Sequence, residues 1–290
     1  MRRIVQERAF LWLSAVAFSS VAFILGIIFV LFIEGLPALS QISFFAFLFG
    51  KRWYPVSSPP QFGLLPLLVG SLFVTLGGLA FAVPLGFLAA VFLAEICPRK
   101  AREAVKPVIE ILAGIPSVVY GFFGVVFLAP SIQKIFQLPT GLTALTASLL
   151  LGIMAIPVVV SVMEDALSAV PRDYREAAFA LGATRWETIK EVVVPAASSG
   201  LGAAVILGAG RIIGETMTVL MVAGGATLIP SSFFQPVRTM TATIAAEMAE
   251  TPFGSLHYRV LFLVAVVLFL ITLFLDLVVA SFSRREVWKR

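Results

Sequence analysis

Apolar runs of about 20 residues, separated by short charged segments, recur along the whole chain. Six charge-poor windows are each long enough to cross a hydrocarbon core about 30 Å thick as a helix. They cover residues 11–33, 68–94, 111–130, 142–163, 199–224 and 260–282. The pattern predicts an all-α, polytopic membrane protein with a single transmembrane domain over residues 1–290. The second window sits in a longer uncharged run, 53–94, whose first residues read "WYPVSSPPQF". Pro55, Pro59 and Pro60 break helices, and the serines and Gln61 favour water, so this part reads as an external loop before one long helix. The apolar run 9–33 is too long for a signal-peptide core and no small-residue cleavage site closes it, so it reads as a retained first span.

The spans carry joints. Pro84, Pro116 and Pro157 fall inside the second, third and fourth, while Gly77, Gly78, Gly114, Gly121, Gly124, Gly202, Gly208 and Gly210 offer small surfaces for close helix approach. Glycine and proline are common in membrane helices, but their number here points to a tightly packed, jointed bundle.

Composition agrees: 60% of the 290 residues are apolar and 13% charged, unlike an ordinary soluble domain. The net charge of +5 resides in the segments between spans and sets orientation. Arg2, Arg3, Arg8; Arg99, Lys100, Arg102, Lys106; Arg172, Arg175, Arg185, Lys190; and Arg284, Arg285, Lys289, Arg290 fall on one side. The other side has Lys51, Arg52, Lys134, Arg238 and Arg259. Both termini and the loop 164–198 are therefore expected in the cytoplasm, and the segment 225–258 outside. Basic residues spread over four membrane-adjacent segments act as topology determinants beside lipid, which excludes a nucleic-acid partner. Cys97, the lone cysteine, excludes an intrachain disulfide, and with His257, the lone histidine, it offers no metal cluster or nucleophile pair. No G-x-x-x-x-G-K-[ST] segment is present, so this chain has no ATPase site of its own.

The loop 164–198 contains "SAVPRDYREAAFALGATRWETIKEVVVPAA". Pro171 suits a first helical turn, Asp173 and Glu176 lie near the positive end of the dipole, and Gly182 can close the helix in the left-handed conformation. Thr184 and Glu187 form a capping box that opens a second helix, which Pro195 ends. Tyr174, Ala177, Ala178 and Leu181 share one face of the first helix, small at its centre, which suits a closely approaching partner. An amphipathic pair lying on the bilayer is the alternative.

Glu176, Ala177, Ala178, Gly182, Ile189 and Pro195 match the EAA loop of ABC-importer permeases. Through "LAGIPSVVYGFFG", "RDYREAAFALGATRWETIKEVVVPAA", "GRIIGETMTVLMVAGG" and "RTMTATIAAEMAE", nearly the whole chain resembles the phosphate-import permeases of that class. A sister permease type shares the first two patterns more loosely and usually follows its intramembrane GET with Ala-Pro, where this chain has Met217 and Thr218. The resemblance implies a type I importer (MetI-like) bundle of six spans, a second permease alongside, two ATPase subunits below and an external phosphate-binding protein. It implies ATPase coupling through Glu176, Ala177, Ala178, Gly182, Arg185 and Pro195, and a phosphate pathway at Arg211 and Glu215. It further implies no cofactor in this chain, ATP and Mg being bound by the partner ATPase. A permease for another oxyanion, the sister-type subunit, and a channel or ion-driven secondary transporter remain alternatives.

Arg211 and Glu215 stand out physically as well. Read as one helix, the fifth span places Arg211 roughly 18 Å along its axis, near mid-membrane, with Glu215 four residues on and on the same face. Each charge costs about 2.5–3.5 kcal/mol at that depth, so both are expected to face the bundle interior or a wet cavity. A guanidinium has more donors than one carboxylate can occupy, which leaves some for a tetrahedral oxyanion. A purely structural ion pair is the alternative. The alanine-rich "TMTATIAAEMAE" has helical composition and is expected to cap the external mouth, as a docking surface and gate or as a re-entrant helix packed on the bundle.

Overall fold

The computed structural model describes residues 2–287; Lys289 and Arg290, counted above among the C-terminal basic residues, lie outside the described residues. The chain runs through α1 (Arg2–Gly35), α2 (Phe44–Phe49), β1 (Trp53–Tyr54), β2 (Gln61–Phe62) and α3 (Leu65–Val91). There follow α4 (Arg99–Ala113), α5 (Ser117–Phe123), α6 (Ala129–Phe136), α7 (Ala144–Ser168), α8 (Arg172–Ala180), α9 (Arg185–Glu187) and α10 (Val194–Ala196). The last elements are α11 (Ser198–Gly214), α12 (Met217–Val222), α13 (Met240–Glu247) and α14 (Leu256–Val287). Five stretches are long and apolar enough to cross a membrane: Trp12–Ser40, Leu65–Ile96, Ser117–Phe136, Ala144–Ser168 and Leu256–Ser281. The helix Arg185–Ala196 and α11, which meet at a 70° bend, are long and apolar enough only when taken together, and as one broken span they make a sixth crossing.

The proline-rich stretch after Trp53 folds as a two-stranded antiparallel hairpin, with Trp53 opposite Phe62 and Tyr54 opposite Gln61. Gly50 and Gly63 cross at its base, where a Cβ on Gly63 would collide with the Gly50 backbone. The hairpin and α13 lie at one end of the bundle, and α8 lies at the other.

The centre of the bundle is the crossing of α3 and α7. A Cβ on Gly152 would fall 3.0 Å from the Gly78 carbonyl oxygen, and one on Gly208 would fall 2.8 Å from Val159, so these glycines set the approach of α3, α7 and α11. Lipid tails are as apolar as leucine, so close packing and not water exclusion holds such helices together. A Cβ on Gly202 or Gly210 would meet no atom within 4 Å among the described residues, so neither glycine is required for close helix approach inside this chain. α1 packs on α14, with Phe32 edge-on to Phe269 at 6.5 Å, and exposes most of its apolar surface, as a lipid-facing helix does.

Two expected spans differ. The third does not begin at residue 111: Ile111 belongs to α4, and the helix stops at Gly114 before restarting at Ser117. Pro116 lacks an amide hydrogen and disfavours helical geometry for Ile115, so it caps α5 instead of bending a continuous helix. The fifth, 199–224, is not one helix; it breaks at Glu215.

Candidate functional site: a broken span and a projecting helix corner

The break at Glu215 begins with a helix stop. Arg211 lies in the last turn of α11, Gly214 closes it, and Glu215 takes extended geometry at φ −71°, ψ 131°. The chain turns through Thr216 and re-enters helix at Met217, where the Thr218 amide donates to Glu215 Oε1 at 3.1 Å. The expectation that Arg211 and Glu215 share a helical face is therefore corrected: the extended geometry turns Glu215 toward the start of α12, where its carboxylate accepts the Thr218 amide, and no ion pair joins the two among the described residues. Each charge lies at a favourable helix end, Arg211 at the negative C-terminus of α11 and Glu215 at the positive N-terminus of α12.

The Arg211 side chain is exposed on the single chain, and no hydrogen bond or ion pair engages it among the described residues. Leu207 and Gly214 are exposed beside it, and Gly210 has no neighbour within 4 Å of its would-be Cβ. This face of α11 is left uncovered by the chain itself.

Three further segments meet at the break. Thr218 Oγ1 donates to the Ser117 carbonyl at 2.9 Å, tying α12 to the start of α5. It also lies 3.4 Å from Met154 Sδ, close to the middle of α7. On the other side Thr241 Oγ1 donates to the Glu215 carbonyl at 2.9 Å, so α13 reaches into the bundle. Thr239, Thr241 and Thr243 are all buried, and the Met240 amide donates to Ser71 Oγ. Backbone freed by a helix break inside a membrane needs such partners, because no water supplies them. α13 is thus packed on the bundle.

At the opposite end, α8 closes with paired bonds from Gly182 N to the Phe179 carbonyl at 2.9 Å and from Ala183 N to the Ala178 carbonyl at 3.1 Å. Gly182 stands at φ +88°, the left-handed geometry this ending requires. Thr184 and Glu187 form both bonds of the capping box that starts α9. The Thr184 amide and hydroxyl hold the Glu187 carboxyl below the usual carboxylate range. Pro195 lies in α10, just before the bend at Ala197. Tyr174, Glu176, Ala177 and Leu181 are exposed, but Ala178 is buried, so the expected four-residue face splits: α8 rotates Ala178 toward Thr188–Val193 of its own chain. Arg185 donates to the Glu95 carbonyl, an internal contact.

Sequence reasoning missed three acids that organise the structure. Glu95 accepts from Arg175 Nη2 at 2.6 Å, and Arg175 also donates to the carbonyls of Leu167 and Val170, which locks α8 to the ends of α3 and α7. Glu164, 1% exposed, receives Arg102, Lys106 at 2.7 Å and Ser168 at 2.9 Å. Glu247 receives Trp53, Arg238 and His257. Each partner set is remote in sequence or drawn from several elements, so no local spacing announces it. Cys97 ends the helix that follows α3 and is free.

A bundle with a broken, charge-bearing span and a glycine-cornered helix projecting from one end defines a membrane permease component, and the comparisons place it. Residues 82–287 match the family of binding-protein-dependent transport system inner membrane components, and the chain belongs to that family. It is 37% identical over 289 residues to the probable ABC transporter permease protein YqgH of Bacillus subtilis, covering 99% of this chain and 94% of that protein. It is 36% identical over 281 residues to the phosphate transport system permease protein PstC of Mesorhizobium japonicum, covering 90% and 84%. Its fold is similar to a chain of a bacterial alginate ABC transporter, with a TM-score of 0.65 at 18% identity over 94% of each chain. It is also similar to an inward-facing methionine transporter MetNI chain, at 0.56 and 21% identity over 76% of this chain and 96% of that one.

Proposed function

We propose that this chain is the PstC-type permease subunit of an ATP-driven importer that moves inorganic phosphate across the cytoplasmic membrane. The observation that carries the reading is Arg211, a guanidinium with no partner among the described residues, at a helix break deep in the crossing that α11 forms. Arg211 lies about 20 Å along α11 from Ser198, and a cation there costs about 2.5–3.5 kcal/mol if it faces lipid. The uncovered face of α11 therefore looks onto a second permease and the pathway between the two. A planar fork with five donors suits a tetrahedral oxyanion, and Glu215, held at the helix start, keeps the anion from binding too tightly to leave. The similarity to phosphate transport permeases, 36% over 281 residues, supports phosphate over other oxyanions.

The α8 end lies in the cytoplasm, by the distribution of Lys and Arg. There Glu176, Ala177 and Leu181 face outward from a helix braced by Arg175 and Glu95, a form suited to a cleft of an ATPase subunit. Gly182, Arg185 and Pro195 shape and anchor the corner; Ala178 packs it against its own chain. ATP and Mg belong to the ATPase, and an external binding protein delivers phosphate at the hairpin end.

Arg211→Lys tests the reading in the assembled complex. It keeps the charge and loses the bidentate fork, so phosphate uptake is expected to fall at least about tenfold while the complex still assembles. Uptake at the wild-type rate would rule out anion contact by the Arg211 guanidinium and leave a charge that only holds helices together.

A further inference from the structure

Glu247 gathers donors from three separate parts of the hairpin end. Its carboxylate lies 3.2 Å from Trp53 Nε1 on the hairpin, 3.0 Å from Arg238 Nη1 on the approach to α13, and 2.8 Å from His257 Nε2 at the start of α14. Thr251 Oγ1 donates to the Glu247 carbonyl at 2.6 Å and lies 3.4 Å from His257 Nδ1. Trp53 is 1% exposed and packs edge-on to Phe62, so it moves only with the hairpin. The hairpin itself projects, with Val56 93% exposed. At the other end of α13, Thr241 holds the Glu215 carbonyl at the break. Thr241 and Glu247 are six residues apart, about 9 Å along a helix.

We infer that Glu247 is a positioning residue: it clamps α13 as a short strut between the projecting hairpin and the Glu215 break, so that displacement of the hairpin from outside changes the geometry at the break. The inference rests on the functional reading above for which side is outside and adds the element that links that side to the pathway. A helix turn cannot be stretched cheaply, and both ends of this one are tied by hydrogen bonds, one of them to an ionised acceptor engaged by three donors. Releasing the acid end leaves α13 held by Thr241 and by the Ser71 bond to the Met240 amide, so the strut can swing about that end and the bond that closes the break from the hairpin side is strained. A knot serving stability alone would not need to connect to the break.

The test uses the assembled complex in sealed cells, with Cys97→Ser and Thr216→Cys placing one thiol at the break. Glu247→Gln, which keeps the shape and loses the charge, is expected to raise the labelling rate by an external, membrane-impermeant thiol reagent at least about tenfold. Trp53→Phe, which keeps the ring packing and loses the N–H donor, is expected to raise it by a smaller factor. With Cys97 and Thr216 left intact, Glu247→Gln is expected to lower the maximal phosphate uptake rate with the half-saturating phosphate concentration unchanged. Labelling within about twofold of the parent in both variants would overturn the inference; so would a Glu247→Gln protein that fails to assemble while Trp53→Phe labels at the parental rate. Labelling does not depend on the transported anion. A wild-type complex that takes up no phosphate would therefore count against the proposed function, while the labelling rates would still decide the role of Glu247.

Discussion

Replacing Gly182 by valine isolates the part that backbone geometry plays in the projecting corner. Gly182 sits at φ +88°, and a Cβ built on it meets no atom within 4 Å, so steric clash contributes nothing. What remains is the cost of left-handed geometry for an L-residue, roughly 1–2 kcal/mol, with a β-branched side chain at the upper end. At 1.4 kcal/mol per factor of ten, the native corner becomes disfavoured by roughly five- to thirtyfold relative to glycine. The bonds from Gly182 N and Ala183 N that end α8 exist only in that geometry. The assay is ATP hydrolysis by the purified complex in lipid, with and without loaded binding protein. Gly182→Val is expected to assemble and hydrolyse ATP at a basal rate, but to lose most of the stimulation and with it phosphate uptake. Gly182→Asn, which tolerates the left-handed region, is expected to keep most of both. Normal stimulation in the valine variant would refute the reasoning. Equal loss in the valine and asparagine variants would also refute it, because it would point to side-chain bulk at an interface and not to φ.

Other expectations follow from single sites. Cys97, at the α8 end of the second crossing and followed by Arg99, Lys100 and Arg102, should react with membrane-impermeant thiol reagents only from the cytoplasmic face; efficient labelling from outside would reverse the topology. Ser148 Oγ is buried with no hydrogen-bond partner among the described residues, so Ser148→Ala should leave the melting temperature of the purified protein unchanged or raise it; a loss above about 1 kcal/mol would show a hidden partner. Glu187 has its folded pKa below the ordinary value of about 4.3, so its capping box contributes fully above that pH and is lost as pH falls through the lower folded value. Hydrogen exchange of the Thr184 amide, corrected for intrinsic rate, should therefore keep its protection from neutral pH down into the acid carboxylate range; loss above about pH 5 would contradict the shift.

The crossings were legible because a charge-poor window of about 20 residues has few other uses. The α8 corner was legible because its turn signals are local: Gly182 and the Thr184–Glu187 box act within a few residues. The breaks were harder. Around Pro116 and Glu215 the apolar run continues unbroken in composition, and hydropathy cannot distinguish a bent helix from two half-helices. A signal existed at the second: a basic residue in a final turn followed by Gly214 is a helix-stop pattern, and an acid three residues before Thr218 is placed to accept its amide. Reading the pair by helical spacing obscures it. Ala178 falls on the expected partner face for a related reason, since i, i+3, i+4 spacing defines a face but not which edge of it turns inward. Glu95, Glu164 and Glu247 gave no local sign, because their partners become neighbours only after the bundle has formed.

Glu164 also bears on how such a chain is built. It is buried near the α8 end of α7, next to the exposed Asp165, and an unpaired acid buried in a packed bundle is penalised. Its cations, Arg102 and Lys106, precede it in the chain, so the ribosome makes them first and they wait at the membrane surface when α7 emerges. The acid is neutralised on arrival, without depending on any span still to be synthesised. Glu95 has the reverse order: it is inserted before Arg175 exists and lies at the end of its helix, where water can solvate it until the partner appears. The direction of synthesis thus matches the burial of each acid, with the more buried one provided for beforehand and the less buried one able to wait.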